Sequence, residues 1–191
     1  MKKVLLFLLL IFTSKYCLAS DPPFKINTVN DALILPTSVL LEGSIHIGDT
    51  KQGVFAFPTS QITKPVANAT LSISSYASKV LLTEIGVYGY ENSDNSITLS
   101  DYNAGTFIGI WDIPPNLSYG KDIFFDVTPF LQGADSSFVK FNLRGVSGSL
   151  GAFCSLDSNL GHPSQLTVTL VPEPTTIALM LLGGSLIRKR A

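Results

Sequence analysis

Covalent catalysis by a thiol requires a histidine within hydrogen-bond reach and a third group to orient it. Cys154, Asp157 and His162 share one neighbourhood of this 191-residue chain. Cys154, however, closes an apolar segment, Gly151-Ala-Phe-Cys154, where a buried structural thiol is the expected outcome. His46 alternates with Ile45 and Ile47 and reads as an exposed strand residue. Two isolated histidines and no second cysteine beside Cys154 in the exported domain leave zinc without a ligand set. Glycoside hydrolysis needs two carboxylates about 5 to 10 Å apart. Glu84, Asp112, Asp122 and Asp126 are available for that role, and nothing in their spacing selects a pair. The expectation is a chain without catalytic residues.

Two binding chemistries stay open. Glu91-Asn-Ser-Asp-Asn95 concentrates hard oxygen donors in one loop. Calcium takes six to eight oxygens, so Glu91 and Asp94 would need Asp101 or carbonyls to complete a site. An ordinary solvated Asn/Asp turn explains the same residues. Glu91, Asp94 and Asp101 are thus candidate ligands for a structural Ca²⁺, and no other cofactor is expected. Tyr88, Tyr90 and Trp111 are candidates for stacking against sugar rings on an exposed sheet. The competing reading places these rings in the core or over its edges.

The elements that must position these residues are strands. Alternation dominates the middle of the chain. Residues 69–74 put Ala69, Leu71 and Ile73 on one face and hydroxyls on the other. Residues 138–144 bury Val139, Phe141 and Leu143 and expose Lys140, Asn142 and Arg144, and residues 165–170 bury Leu166, Val168 and Leu170. Residues 54–57, 84–90, 106–111 and 122–126 are rich in aromatic and β-branched side chains and read as further strands. Segments 39–47 and 151–154 are shorter or broken candidates. Loops fall at 48–53, 91–96, 114–118 and 157–165. A short helix is expected over 126–133, with Thr128 as its cap, Pro129 in its first turn and Gly133 as its stop. Eight or nine short strands at this spacing predict an all-β fold, a single antiparallel β-sandwich of the jelly-roll kind.

Both ends of the chain differ from this middle. Lys2 and Lys3, the apolar run 4–12 and the polar stretch 13–19 form a secretory signal peptide, with cleavage after Ala19. Cys17 leaves with it, so the exported domain folds without an intrachain disulfide. At the other end Pro172-Glu173-Pro174 precedes an uncharged apolar run, 175–187, and a basic stop of Arg188, Lys189 and Arg190. The prolines end any strand before them, and the cations hold the tail on the cytoplasmic side of a membrane. Thirteen helical residues rise about 20 Å against a hydrocarbon core of about 30 Å, so spanning requires snorkelling or local thinning. A buried core helix is the alternative reading of the run. The chain therefore divides into a signal peptide (1–19), a β-sandwich ectodomain (20–171) and a terminal segment (172–191) with a short membrane helix.

Tripeptide, apolar run and basic end together resemble the PEP-CTERM sorting signal of Gram-negative bacteria. The resemblance implies recognition by an exosortase at the inner membrane, cleavage near Pro172-Glu173-Pro174, and delivery to the cell surface or extracellular matrix in connection with extracellular polysaccharide. More loosely, Val54-Phe-Ala-Phe57, residues 66–71, Phe125-Asp-Val-Thr128 and the terminal strand after Pro163 are similar in order to jelly-roll modules of the DNRLRE type, related to carbohydrate-binding modules. The DNRLRE string itself is absent, so this similarity implies contact with polysaccharide without assigning a residue. Charged residues make up 14 % of the chain, the net charge is −1, and no basic stripe precedes residue 188, which argues against a nucleic-acid partner. A non-catalytic surface or matrix protein is the expectation, with a secreted glycan hydrolase as the alternative.

Overall fold

The structure is a computed structural model that describes residues 21–76, 81–115, 117–148, 150–158 and 161–172. Ala19, Glu173, Pro174 and the basic stop at 188–190 lie outside the described residues. Among the described residues no helix is long and apolar enough to cross a membrane.

Alternating apolar side chains build two antiparallel sheets. One has four strands in the order β1 (Phe24–Asn27), β12 (Gln165–Leu170), β6 (Val66–Ser74) and β9 (Asp122–Asp126). The other has six: β3 (Ser38–Leu40), β2 (Asn30–Leu35), β5 (Gln52–Pro58), β10 (Phe138–Gly148), β7 (Leu82–Asn92) and β8 (Thr106–Asp112). A separate pair, β4 (Ser44–Gly48) with β11 (Leu150–Cys154), adds Ile45, Ile47 and Phe153 to the core. The inner faces meet in one cluster, in which Leu71, Ile73, Phe125, Leu166 and Val168 of the smaller sheet oppose Phe55, Val87, Val139, Phe141 and Leu143 of the larger. Each such side chain contributes about 1.5 to 3 kcal/mol on burial, and the period of two keeps them all on one side. This is the all-β sandwich that alternation predicts. The N-terminal strands β1 and β2 carry weaker signals and extend the sheets beyond the expected set, and the expected segment 39–47 is broken into β3 and β4.

The short helix α1 (Thr128–Leu131) forms where Pro129 suggests it. Its cap differs from the expectation. Val127 is the N-cap, Asp126 Oδ1 accepts the Thr128 N–H at 3.0 Å, and the Thr128 hydroxyl instead binds β6 at Asn68 and Ala69.

A second difference concerns β10. Lys140 and Asn142 point to the outer face as their parity requires, yet both are completely buried. The cause is the connection 93–105 between β7 and β8, which folds back across the outer face of the larger sheet and covers it.

Candidate functional site

The outer face of the six-stranded sheet is built in rows, one per pair of residues along the strands. Ala56, Lys140 and Tyr90 form one row, Val54, Asn142, Tyr88 and Phe107 the next, and Gln52, Arg144, Gly86 and Ile110 the third. Connection 93–105 closes over the first row and part of the others. Asn142 Nδ2 donates to the Asp101 carbonyl at 2.9 Å and to Gln52 Oε1 at 2.8 Å. The Asn103 N–H donates to the same Gln52 oxygen at 2.9 Å. Lys140 Nζ lies 3.6 Å from Asp101 Oδ1 and donates to the Ser96 carbonyl. Gly105, at φ +104°, brings the connection back against Tyr88, where a Cβ would stand 3.1 Å from the Gly89 carbonyl.

This cover decides the fate of the predicted ligands. Asp101 is buried and its carboxylate accepts the Tyr90 hydroxyl at 2.7 Å and the Thr98 N–H at 2.6 Å. Burial and the Asp101 carboxylate push the Tyr90 hydroxyl far above its ordinary value, so Tyr90 is a fixed donor. Asp94 Oδ1 accepts both the N–H and the hydroxyl of Ser96, at 2.8 and 2.5 Å, which holds its carboxyl below the usual range. Glu91 Oε2 accepts the N–H groups of Asp135 and Ser136, each at 2.7 Å, and its carboxyl is lowered for that reason. The three carboxylates serve three separate sets of partners. Among the described residues no group of three His, Cys, Asp or Glu side chains is placed to hold a metal.

The predicted aromatic set is divided as well. Tyr90 lies beneath the connection, with Lys140 Nζ 5.7 Å from its ring centroid. Trp111 turns inward and packs edge-on against Phe125, with centroids 5.4 Å apart. Tyr88 remains at the outer face, and there the structure gives it partners that alternation missed. The Arg144 guanidinium lies 3.6 Å from the Tyr88 ring centroid, and Phe107 stands on the other side at 5.4 Å. Arg144 is held in place by donating to the Ala104 carbonyl and to Asn142 Oδ1.

Phe107, Ile110 and Val146 are each about half exposed and continue this surface. A bulge between Val87 and Tyr88 explains why Phe107 escaped the sequence reading. Gly109 pairs with Val87, Phe107 pairs with Tyr88, and Ile108 is the extra residue, so the inward and outward positions of β8 exchange at that point. Beyond Ile110, Glu84 and Asp112 are direct cross-strand partners on the same face, and the Ser147 hydroxyl donates to Glu84 Oε2 at 2.7 Å.

Cys154, Asp157 and His162 do not come together as their sequence neighbourhood suggests. Cys154 is buried, and burial pushes its thiol up, opposed by a hydrogen bond with Ser158 and aided by the Asp122 charge, which favours the inert protonated form. Asp157 is exposed. His162 is drawn to Asp122, with Nε2 3.0 Å from Oδ1, and Nδ1 lies 3.1 Å from the Pro163 carbonyl. The Ser74 hydroxyl donates to Asp122 Oδ1 at 2.5 Å and is nearly equidistant from both ring nitrogens, at 3.3 and 3.2 Å. A nucleophilic serine must hand its proton to the imidazole in line. Here that proton goes to the carboxylate, and both imidazole nitrogens face oxygen acceptors. The cluster is a polar tie between β6, β9 and the segment before β12.

Among solved structures the chain is similar to a xylan-binding module, CBM15, with 10 % identity, a TM-score of 0.45, and coverage of 80 % of this chain and 99 % of that one. It is also similar to Xylanase10C from Cellvibrio japonicus in complex with xylopentaose, with 10 % identity, a TM-score of 0.41, and coverage of 76 % of this chain and 28 % of that one. Likeness at this level identifies no binding residue. No protein-family model and no curated protein matches the chain.

Proposed function

We propose that the chain is an exported, non-catalytic protein of the cell surface or extracellular matrix that contacts polysaccharide through the outer face of its six-stranded sheet. The observation that carries this reading is the line of contacts Arg144, Tyr88, Phe107, in which Arg144 reaches across from the next row. The guanidinium carbon of Arg144 lies over the Tyr88 ring, and a half-exposed phenyl ring extends the strip. Aromatic faces complement the C–H face of a pyranose, while guanidinium and amide donors at the border satisfy its hydroxyls. Phe107, Ile110 and Val146 are each about half exposed along the strip, which suits a run of a polymer better than a small substrate that must be enclosed. The polar cluster at Ser74, Asp122 and His162 has the wrong proton direction for a nucleophile. Native gel electrophoresis through soluble arabinoxylan, hydroxyethylcellulose, galactomannan and alginate tests the reading. At least one polymer should retard the wild-type protein, and Phe107→Ala should weaken that retardation. Unretarded migration in all four gels counts against it.

The hydrolase alternative has one observation in its favour, the opposed pair Glu84 and Asp112 at the end of the same strip. Release of reducing sugar that disappears in Glu84→Gln or Asp112→Asn would replace the non-catalytic reading.

Export and sorting belong to the same proposal. Sec-dependent export with cleavage after Ala19, transient retention in the inner membrane, and processing by an exosortase at Pro172, Glu173 and Pro174 follow from the order of the terminal segments. The described ectodomain supports it in one respect. The Val171 N–H is bonded to the Pro65 carbonyl at 2.8 Å and Pro172 is buried, so the described sandwich reaches the first residue of the tripeptide.

A further inference from the structure

We infer that the four-stranded sheet carries a second carbohydrate-contacting surface, centred on Phe124 and the Asp122–His162 pair, so that one molecule bridges two glycan segments. This rests on the reading of the protein as a polysaccharide binder and adds a site on the opposite face of the sandwich. Phe124 sits on the edge strand β9 and is 61 % exposed. No other large apolar side chain points outward from this sheet among the described residues. The Cα partner of Phe124 is Ser72, which is followed across the sheet by Gln165 and Asn27. The neighbouring row carries Asp126, Thr70, Thr167 and Lys25. Gln165 Nε2 donates to Asn27 Oδ1 at 3.1 Å, which orients the amides along the face. On the other side of Phe124 the row begins with Ser74 and Asp122, and the side chains of Asp122 and His162 keep 26 % and 45 % of their surface exposed.

The composition of this face selects the partner. A protein interface of ordinary size buries about 800 Å² per partner around an apolar, aromatic centre. One ring set among hydroxyls, amides and the charges of Asp126 and Lys25 cannot supply such a centre. A pyranose presents the complementary pattern at the right scale. Its C–H face covers one aromatic ring, and its hydroxyls meet a carboxylate that accepts and amides that both donate and accept. His162 contributes in two ways, by holding Asp122 in place and by offering a ring edge to the ligand. The two proposed surfaces lie on the outward sides of two sheets packed face to face, about 10 Å apart at their backbones. A single polymer segment cannot engage both at once without wrapping around the sandwich.

Phe124→Ala removes only an exposed ring and should leave the fold intact. The same four polymers serve as probes, with retardation read by native gel and cross-linking by low-shear viscosity and light scattering at equal protein concentration. For a polymer that retards the wild type, viscosity should rise with protein, and both Phe124→Ala and Asp122→Asn should abolish the rise. Their retardation should persist through the Tyr88 strip and be about threefold to tenfold weaker. Phe107→Ala should likewise stop cross-linking while leaving retardation through Phe124. If Phe124→Ala cross-links like wild type, or Phe107→Ala alone abolishes all retardation, the second surface is refuted and the polysaccharide reading stands. If no polymer retards the wild type, the polysaccharide reading falls and takes the second surface with it.

Discussion

The guanidinium carbon of Arg144 lies 3.6 Å from the centroid of the Tyr88 ring, with both side chains on the outer face of the six-stranded sheet. The contact joins neighbouring strands and fixes a ring that would otherwise rotate. Planarity matters here, because an ammonium group cannot lie flat on the ring or keep the bond to the Ala104 carbonyl in the same geometry. Arg144→Lys should therefore reduce polymer affinity about threefold to tenfold while lowering stability by only about 1 kcal/mol. Affinity electrophoresis and urea denaturation read the two effects separately. Unchanged affinity would remove Arg144 from the binding strip.

Lys140 tests whether the connection 93–105 is fastened by buried polar bonds. Its ammonium group is completely buried against Asp101, the Ser96 carbonyl and the Tyr90 ring. Lys140→Ala leaves Asp101 as a buried charge without its cation and should cost about 3 to 5 kcal/mol. Amide hydrogen exchange should then accelerate across 93–105 before it does in the core strands. Lys140→Met, combined with Asp101→Asn, should restore much of the lost stability. Equal exchange in wild type and Lys140→Ala would show that the connection is held by something else.

Asp31 gives the fold a pH dependence of unusual sign. Burial in β2 raises its carboxyl from 3.8 to about 6, with the nearby Asp157 charge adding to the effect and the Leu156 N–H, bonded to Oδ2 at 2.6 Å, opposing it. A raised carboxylate favours the protonated folded form. Its contribution to stability is therefore fully present below pH 3.8 and is lost as pH rises through about 6. The interval corresponds to at most about 3 kcal/mol. Asp31→Asn keeps an acceptor for Leu156 and removes the charge, so it should be more stable than wild type by about 1 to 3 kcal/mol at pH 7.5. The gain should vanish near pH 4. Urea midpoints across this range measure it, and a variant that is less stable than wild type at pH 7.5 contradicts the assignment.

The terminal segments make a prediction about covalent structure. In cells that possess an exosortase, the secreted protein should begin after Ala19 and end near Pro172. Intact-mass measurement decides this directly. A secreted chain that still carries Arg188 to Ala191 refutes processing at the tripeptide.

Sequence alone determined which residues line the core, because a period of two assigns every second side chain of a strand to the same face. Leu71, Ile73, Val139, Phe141, Leu143, Leu166 and Val168 are buried as their alternation requires. Alternation states only which face a residue occupies. Whether that face is wet depends on what crosses it, and for Lys140 and Asn142 the answer came from a connection about forty residues away in the chain. The same limit applies to the aromatic residues. Tyr88, Tyr90 and Trp111 look equivalent in the sequence, yet a cover, a one-residue bulge and an inward turn gave them three different environments. Phe107 and Arg144 became neighbours of Tyr88 only through strand register, which local propensity does not encode. Tertiary structure likewise chose Asp122 as the partner of His162, since hydrogen bonding between distant segments is decided by how the sheets close.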